Sequence, residues 1–204
     1  MEMKLGEFRN DDERRRAIEH HVSGMLEAIR EDPEREGLVD TPARVGRAYL
    51  NEIFSGYEKE SEIDEMLTKF DAKDVDQMVT LQDIEFYSMC EHHILPFYGR
   101  VHVGYLPGPS LLGISKIPRL VEIFSRRLQI QEQLTNQIAS CIEEKISAKG
   151  VIVIMEGIHL CMRMRGVKQQ NSIMKTSSLK GVYREEARAV NEFLALIGHK
   201  STWG

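Results

Sequence analysis

At 204 residues with 42% hydrophobic side chains, the chain is long enough to bury a core as one globular unit. Its formal net charge of -5 gives no overall field that would draw in DNA, RNA or an acidic membrane, so any anionic ligand must be met by local positive charge. Met1 to Asn10 hold no apolar run of signal-peptide length, and nowhere do about 18 apolar residues follow one another, so a cytoplasmic location is expected. The cysteines, Cys90, Cys141 and Cys161, are odd in number and widely spaced, which speaks against a disulfide framework and for a reducing compartment, leaving metal binding or burial.

In chain order, Ile18, Val22, Met25, Leu26 and Ile29 recur at helical spacing until Asp32-Pro33 breaks the pattern. A second helix is expected from Thr41-Pro42, with the threonine hydroxyl as cap, through Val45, Ala48, Tyr49 and Ile53 to a stop at Gly56. Residues 57–76 are acidic, with a weak helical stripe through Ile63, Met66, Leu67 and Phe70, and read as a covering segment. Residues 1–76 are therefore expected as a helical N-terminal segment, and residues 77–204 as the catalytic region, the two forming one structural unit.

From Val79 the period changes to two. Val79 and Leu81 alternate, Ile84 and Phe86 alternate one residue out of step, and Val101, Val103 and Tyr105 alternate again, which predicts two antiparallel strands with a bulge between Leu81 and Ile84. Beyond Pro107-Gly108-Pro109, the stripe Leu120, Phe124, Leu128, Leu134, Ile138 and Ile142 predicts one long helix entered near Ser115, Pro118 being harmless in its first turn. The run from Val151 to Val167 reads as a long strand, and Arg184 to Ile197 as a final helix stopped by Gly198. The tail beyond it offers no reading. This order implies an α+β domain with an antiparallel sheet.

Cys90-Glu91-His92-His93 falls at the turn between the two strands, and a thiolate and an imidazole three residues apart suit zinc. The further ligands have to come from elsewhere. Cys141 follows Ile138 on the apolar side of its helix and reads as a small core residue. Along the expected strand, His159, Cys161 and Arg165 share one face, which is too polar for core and leaves both His159 and Cys161 as candidates. Two cysteines and two histidines could close a structural site; a catalytic zinc would keep three protein ligands and an open water position. With His92, His93 and His159 all available, at least one imidazole remains for acid or base work. The motifs of nucleobase deaminases and of zinc proteases are absent.

Ser115-Lys116-x-x-Arg119 sets two cations at a helix start, where free backbone N–H groups also favour anions. Arg165 would bring positive charge towards the metal. By themselves, Gln131 and Glu132 read as the outer surface of the long helix.

Four segments together resemble the GTP cyclohydrolase I family: Ser88-Met89-Cys90-Glu91-His92-His93-Ile94-Leu95-Pro96-Phe97, Gly113-Ile114-Ser115-Lys116-Ile117-Pro118-Arg119, Arg127-Leu128-Gln129-Ile130-Gln131-Glu132 and His159-Leu160-Cys161-Met162-Arg163-Met164-Arg165-Gly166-Val167. The likeness runs from about Thr41 to Leu196 and includes Asp40-Thr41-Pro42-Ala43-Arg44-Val45. The resemblance implies that Cys90, His93 and Cys161 hold Zn2+ and that His92 and His159 are the acid and base groups. It implies that Gln131 and Glu132 bind guanine, and that Ser115, Lys116, Arg119, Arg165 and a neighbouring subunit's Arg44 bind the triphosphate. The implied reaction opens guanine at C8, releases formate and yields 7,8-dihydroneopterin triphosphate, the entry to tetrahydrofolate or biopterin synthesis. The implied fold is a T-fold, assembled as a homodecamer of two pentameric rings. Departures from the family pattern are Ile114, Pro118, Gly157 and Met174, none of which removes a chemical group. Another T-fold enzyme acting on a pterin or purine is the rival enzymatic reading, against which the two cysteines speak. A zinc-stapled binding protein is the non-enzymatic one.

Overall fold

The computed structural model describes Phe8 and residues 10–198, and the chain divides after Ser55 into two compact units. The tail from residue 199 onward lies outside the described residues.

The first unit holds α1 (Asp11–Ala28) and α2 (Thr41–Ala48). Asn10 caps α1, its side-chain oxygen accepting from Glu13 N at 3.0 Å, and Asp11, Asp12 and Glu13 place negative charge where the helix dipole favours it. Ala17, Val22 and Leu26 form the buried stripe. The helix closes before Asp32-Pro33, with Arg30 at φ 68 and Glu31 N donating to Leu26 O. In α2 the expected cap differs: Asp40 holds that position without a side-chain bond to the helix backbone, and Thr41 is already helical. The stripe continues through a π-helical turn, Tyr49–Ile53, in which Phe54 N reaches Tyr49 O.

The second unit opens with α3 (Gly56–Lys59), a 3-10 turn (Glu60–Glu62), α4 (Ile63–Met66) and β1 (Lys69–Asp71). This segment covers as expected at Ile63 and Leu67, which are buried, although Phe70 is exposed. Next come β2 (Val79–Cys90), β3 (Leu95–Leu106), β4 (Ser110–Leu112), α5 (Lys116–Ser125), β5 (Leu128–Gln129) and α6 (Gln131–Ile146). The chain continues through β6 (Gly150–His159), α7 (Leu160–Arg163), β7 (Met174–Gly181), α8 (Val182–Glu185) and α9 (Ala187–Leu196).

One sheet of order β5-β2-β3-β6-β7 organises this unit, antiparallel except where β5 runs parallel to β2. The bulge between Leu81 and Ile84 is present, with Asp83 at φ 57. Along β6, Val151, Val153 and Met155 enter the core beneath α5 and α6, whereas Ile152 and Ile154 pack with Tyr183, Phe193 and Ile197 on the other side. That alternation explains why so apolar a strand is buried on both faces. The architecture is mixed α+β, a central sheet with helices.

Four expectations change. The long helix from Ser115 is two helices, because Arg126 to Ile130 leave helical geometry to pair with the end of β2. The backbone groups in this break find partners: Gly56 N donates to Arg126 O, Met89 N to Arg127 O, and Leu128 N to Tyr57 Oη. Gln129 Nε2 caps the end of α5 through Phe124 O at 2.8 Å, and Arg127 Nε bonds Ile123 O while its guanidinium lies over the Phe124 ring. The long strand to Val167 ends at His159, and α7 follows. The polar strand β7 was not expected, since Met174 to Gly181 lack an apolar period. The final helix is also split, with extended Glu186 between α8 and α9; Gly198 at φ 53 provides the expected stop.

Ile138 is fully buried on α6. Its replacement by alanine is expected to cost about 2–5 kcal/mol in urea unfolding. Gln133→Ala on the exposed side of the same helix should change stability by under about 0.5 kcal/mol. Equal shifts would contradict the assigned faces.

Candidate active site

The ends of β2, β5 and β6 meet at one place. Cys90 closes β2 and is held from both sides, paired with Leu95 on β3 and with Gln129 on β5. The turn that follows is tight: His93 N and Ile94 N both donate to Cys90 O, and Ile94 takes φ 51. This turn leaves Cys90 buried while His92 and His93 point outward, their rings 6.2 Å apart and nearly perpendicular. His93 Nδ1 lies 3.8 Å and His92 Nδ1 3.9 Å from Cys90 Sγ.

Cys161 arrives from α7, just past the end of β6. The ligand atoms of Cys90, His93 and Cys161 all lie within 4.8 Å of one another, the only such group of three or more His, Cys, Asp or Glu among the described residues. Two sulfurs and an imidazole form a donor set that suits zinc, and three protein donors match a site with an open position better than a four-donor staple. The Cys161 thiol is pushed up, chiefly by burial and then by the neighbouring Cys90, with the Arg165 charge opposing. Cys161 is therefore reached through a helical turn, not through the shared strand face that the sequence suggested. Cys141 stays apart, half-buried on α6 against the core, and burial pushes its thiol up to about 11.

His159 ends β6 opposite Phe97, and the two rings stack with centroids 4.6 Å apart and planes 8° apart. Its Nε2 lies 2.9 Å from Gln131 Oε1. Burial holds this imidazole below its usual range, the Glu132 carboxylate opposing. Because the helix breaks before Gln131, both Gln131 and Glu132 fall in the first turn of α6, the former buried and the latter exposed.

Ser115, Lys116 and Arg119 stand at the start of α5, where Ser115 occupies the cap position without a side-chain cap bond. Among the described residues, Lys116, Arg119 and Arg165 make no ion pair, whereas Lys175 is paired with buried Glu156. Arg44 lies on α2 in the first unit, paired with Asp40 at 2.9 Å where both side chains are exposed. The sequence reading gave no role to Phe97, Thr135 or Thr176, which surround or support the His159–Gln131 pair. Thr135 was within reach, being one helical turn after Gln131; Thr176 was not, because β7 carries no strand period.

Cys90→Ser, His93→Ala and Cys161→Ser are each expected to weaken zinc binding by at least about tenfold, since even outer partners of metal ligands are worth 10–100-fold. Cys141→Ser should bind as the parent does. Zinc retained after competition with a chromogenic chelator checks this, and equal loss in all four variants would contradict the assignment.

A family model described as GTP cyclohydrolase I matches residues 18–198. Among similar curated proteins, the GTP cyclohydrolase 1 of Methylococcus capsulatus is 51% identical over 187 residues, covering 90% of this chain and 98% of its own. That of Wolinella succinogenes is 47% identical over 184 residues, covering 90% and 97%. That of Porphyromonas gingivalis is 46% identical over 183 residues, covering 90% and 93%. On sequence likeness of this extent, joined to the convergence of Cys90, His93 and Cys161 with His92 beside Cys90, the chain belongs to the GTP cyclohydrolase I family.

Proposed function

We propose that this enzyme opens the imidazole ring of GTP at C8, releases formate and forms 7,8-dihydroneopterin triphosphate. The observation that carries this reading is the mutual approach of Cys90, His93 and Cys161 within 4.8 Å, with His92 Nδ1 3.9 Å from Cys90 Sγ but outside that donor group, and with His159 two residues before Cys161. Cys90, His93 and Cys161 would hold Zn2+, which when bound supplies Lewis acidity and makes water a nucleophile near neutral pH.

The chain's own residues do the rest. His92, exposed at the turn, donates a proton to N7 of guanine, which draws electron density from C8 and favours addition of water there. His159, set deeper, moves a proton during opening of the ribose that precedes rearrangement. Glu132 accepts from the ring N–H and amino group of guanine. Gln131 borders the base at the helix start, where first-turn N–H groups lack intrahelical acceptors. The triphosphate is met by Ser115 and by Lys116, Arg119 and Arg165, cations without an ion-pair partner among the described residues, with Arg44 arriving from a neighbouring subunit.

In this reading the fold is a T-fold and the protein a homodecamer with active sites between subunits. A sheet that ends on β7, whose outer edge has no strand partner among the described residues, is compatible with such assembly. No described helix is long and apolar enough to cross a membrane; a cytoplasmic location goes with the small soluble substrate proposed.

Zinc-loaded protein incubated with GTP should yield formate and, after oxidation, fluorescent neopterin; absence of both would overturn the proposed reaction. His92→Ala should keep its zinc and lose at least about 10²-fold in turnover. A zinc-replete His92→Ala protein turning over at the parent rate would remove His92 from the acid role.

A further inference from the structure

We propose that Gln131 is a positioning residue: its carboxamide oxygen keeps a hydrogen on His159 Nε2 and fixes the ring's rotation, so that proton exchange with a ligand falls to Nδ1, rather than reading the guanine base. This deepens the reading above and rests on His159 being an acid–base group of that site.

The orientation of the carboxamide is set by groups that cannot change role. Gln131 Nε2 lies 3.2 Å from Met155 O, 3.0 Å from Met174 O and 3.1 Å from Thr176 Oγ1. Two of these are carbonyl oxygens, which only accept, so the NH2 end must face the sheet; the flipped amide would set oxygen against oxygen twice inside the protein. Oε1 is then left facing His159 Nε2 at 2.9 Å, and an amide oxygen only accepts. His159 Nε2 must carry the hydrogen.

The threonines close the pattern in one direction. Thr135 donates to Gln131 O at 2.7 Å, and its oxygen lies 2.6 Å from Thr176 Oγ1. With its single hydrogen used, Thr135 accepts from Thr176, whose oxygen is then free to accept from Gln131 Nε2. Side chain and helix backbone are thereby pinned to each other, with Gln131 only 1% exposed. The NH2 hydrogens are spent on the sheet and Oε1 already accepts from His159, so the carboxamide's first commitments are within the protein.

Gly157 supplies the space. It pairs with Met174 across β6 and β7, and a Cβ built there would stand 2.2 Å from Gln131 Oε1 and 3.5 Å from His159 Nε2. Any larger residue would push the amide oxygen off its present position. The stack on Phe97 fixes the ring plane, and the Gln131 bond fixes its rotation within that plane.

Neutron diffraction from deuterated crystals of the zinc-loaded protein reads that hydrogen directly: deuterium is expected on His159 Nε2, and its absence there would overturn the proposal whether or not the enzyme turns over GTP. Deuterium on Nε2 in a protein that makes no formate would instead leave the network standing and sink the reaction. In kinetics, Gln131→Met and Gly157→Ala should lower kcat by about 10- to 100-fold, part of what general acid–base catalysis supplies. KM for GTP and zinc content should stay within about twofold of the parent. A raised KM with unchanged kcat in Gln131→Met would assign the side chain to base recognition and overturn the positioning role. Parent-like kcat in folded Gly157→Ala would do the same. Should Gln131→Met fail to fold, Gly157→Ala alone decides.

Discussion

The pairing of Leu128–Gln129 with Met89–Cys90 is short, only two residues on each side, yet much of the site hangs on it. Burying that junction leaves backbone groups that require partners, and they are met by Gly56, Tyr57, Ser88 and the buried Gln129 side chain. The result is a helix interrupted at a fixed place. Because α6 restarts at Gln131, its first turn opens beside the end of β2, so a carboxamide, a carboxylate and the cysteine-histidine turn are brought to one end of the sheet. A continuous helix through residues 126–130 would carry Gln131 and Glu132 elsewhere on its surface.

Polar groups in this unit fall into two kinds. Some are spent on the fold: Gln131 on two carbonyls, a threonine and a histidine; Gln129 on the end of α5; Glu156, 3% exposed, on Lys175. Such commitments cost little once every donor and acceptor is matched, and they hold a geometry firmly. Others make no ion pair among the described residues, notably Lys116, Arg119 and Arg165, in a chain whose overall charge is negative. If they meet the triphosphate as proposed, positive charge that is local in an acidic chain would favour a small phosphorylated ligand without attracting nucleic acid in general.

Much of this was legible from residue order. The bulge at Leu81/Ile84, the turn at Cys90 to His93, the strand from Val151 and the stop at Gly198 follow from period-two and period-3.6 patterns, which are local. The unbroken helix expected from Ser115 to Ile142 shows the limit: Leu128 falls on the apolar stripe, but the competing strand pairing with Met89 and Cys90 is 39 residues away in the chain for Ser88 and Arg127, and only the fold decides between them. Likewise β7 is built from Met174, Thr176 and Ser178, whose polarity is satisfied by α6 and β6 and so never appears as an apolar period.

For the site, the sequence by itself determined the chemistry on offer: thiolates and imidazoles at Cys90 and His93, a further His159-x-Cys161 pair, and cations at Lys116, Arg119 and Arg165. Residue type and short spacing suffice for that, because donor atoms belong to side chains and near neighbours share a turn. Tertiary structure decided how those donors meet and which polar groups are used up. It turned Cys161 towards Cys90 through a helical turn and left Cys141 apart from them, half-buried against the core. It also committed both ends of the Gln131 carboxamide, since those contacts join β6, β7 and α6, segments whose approach no local pattern encodes.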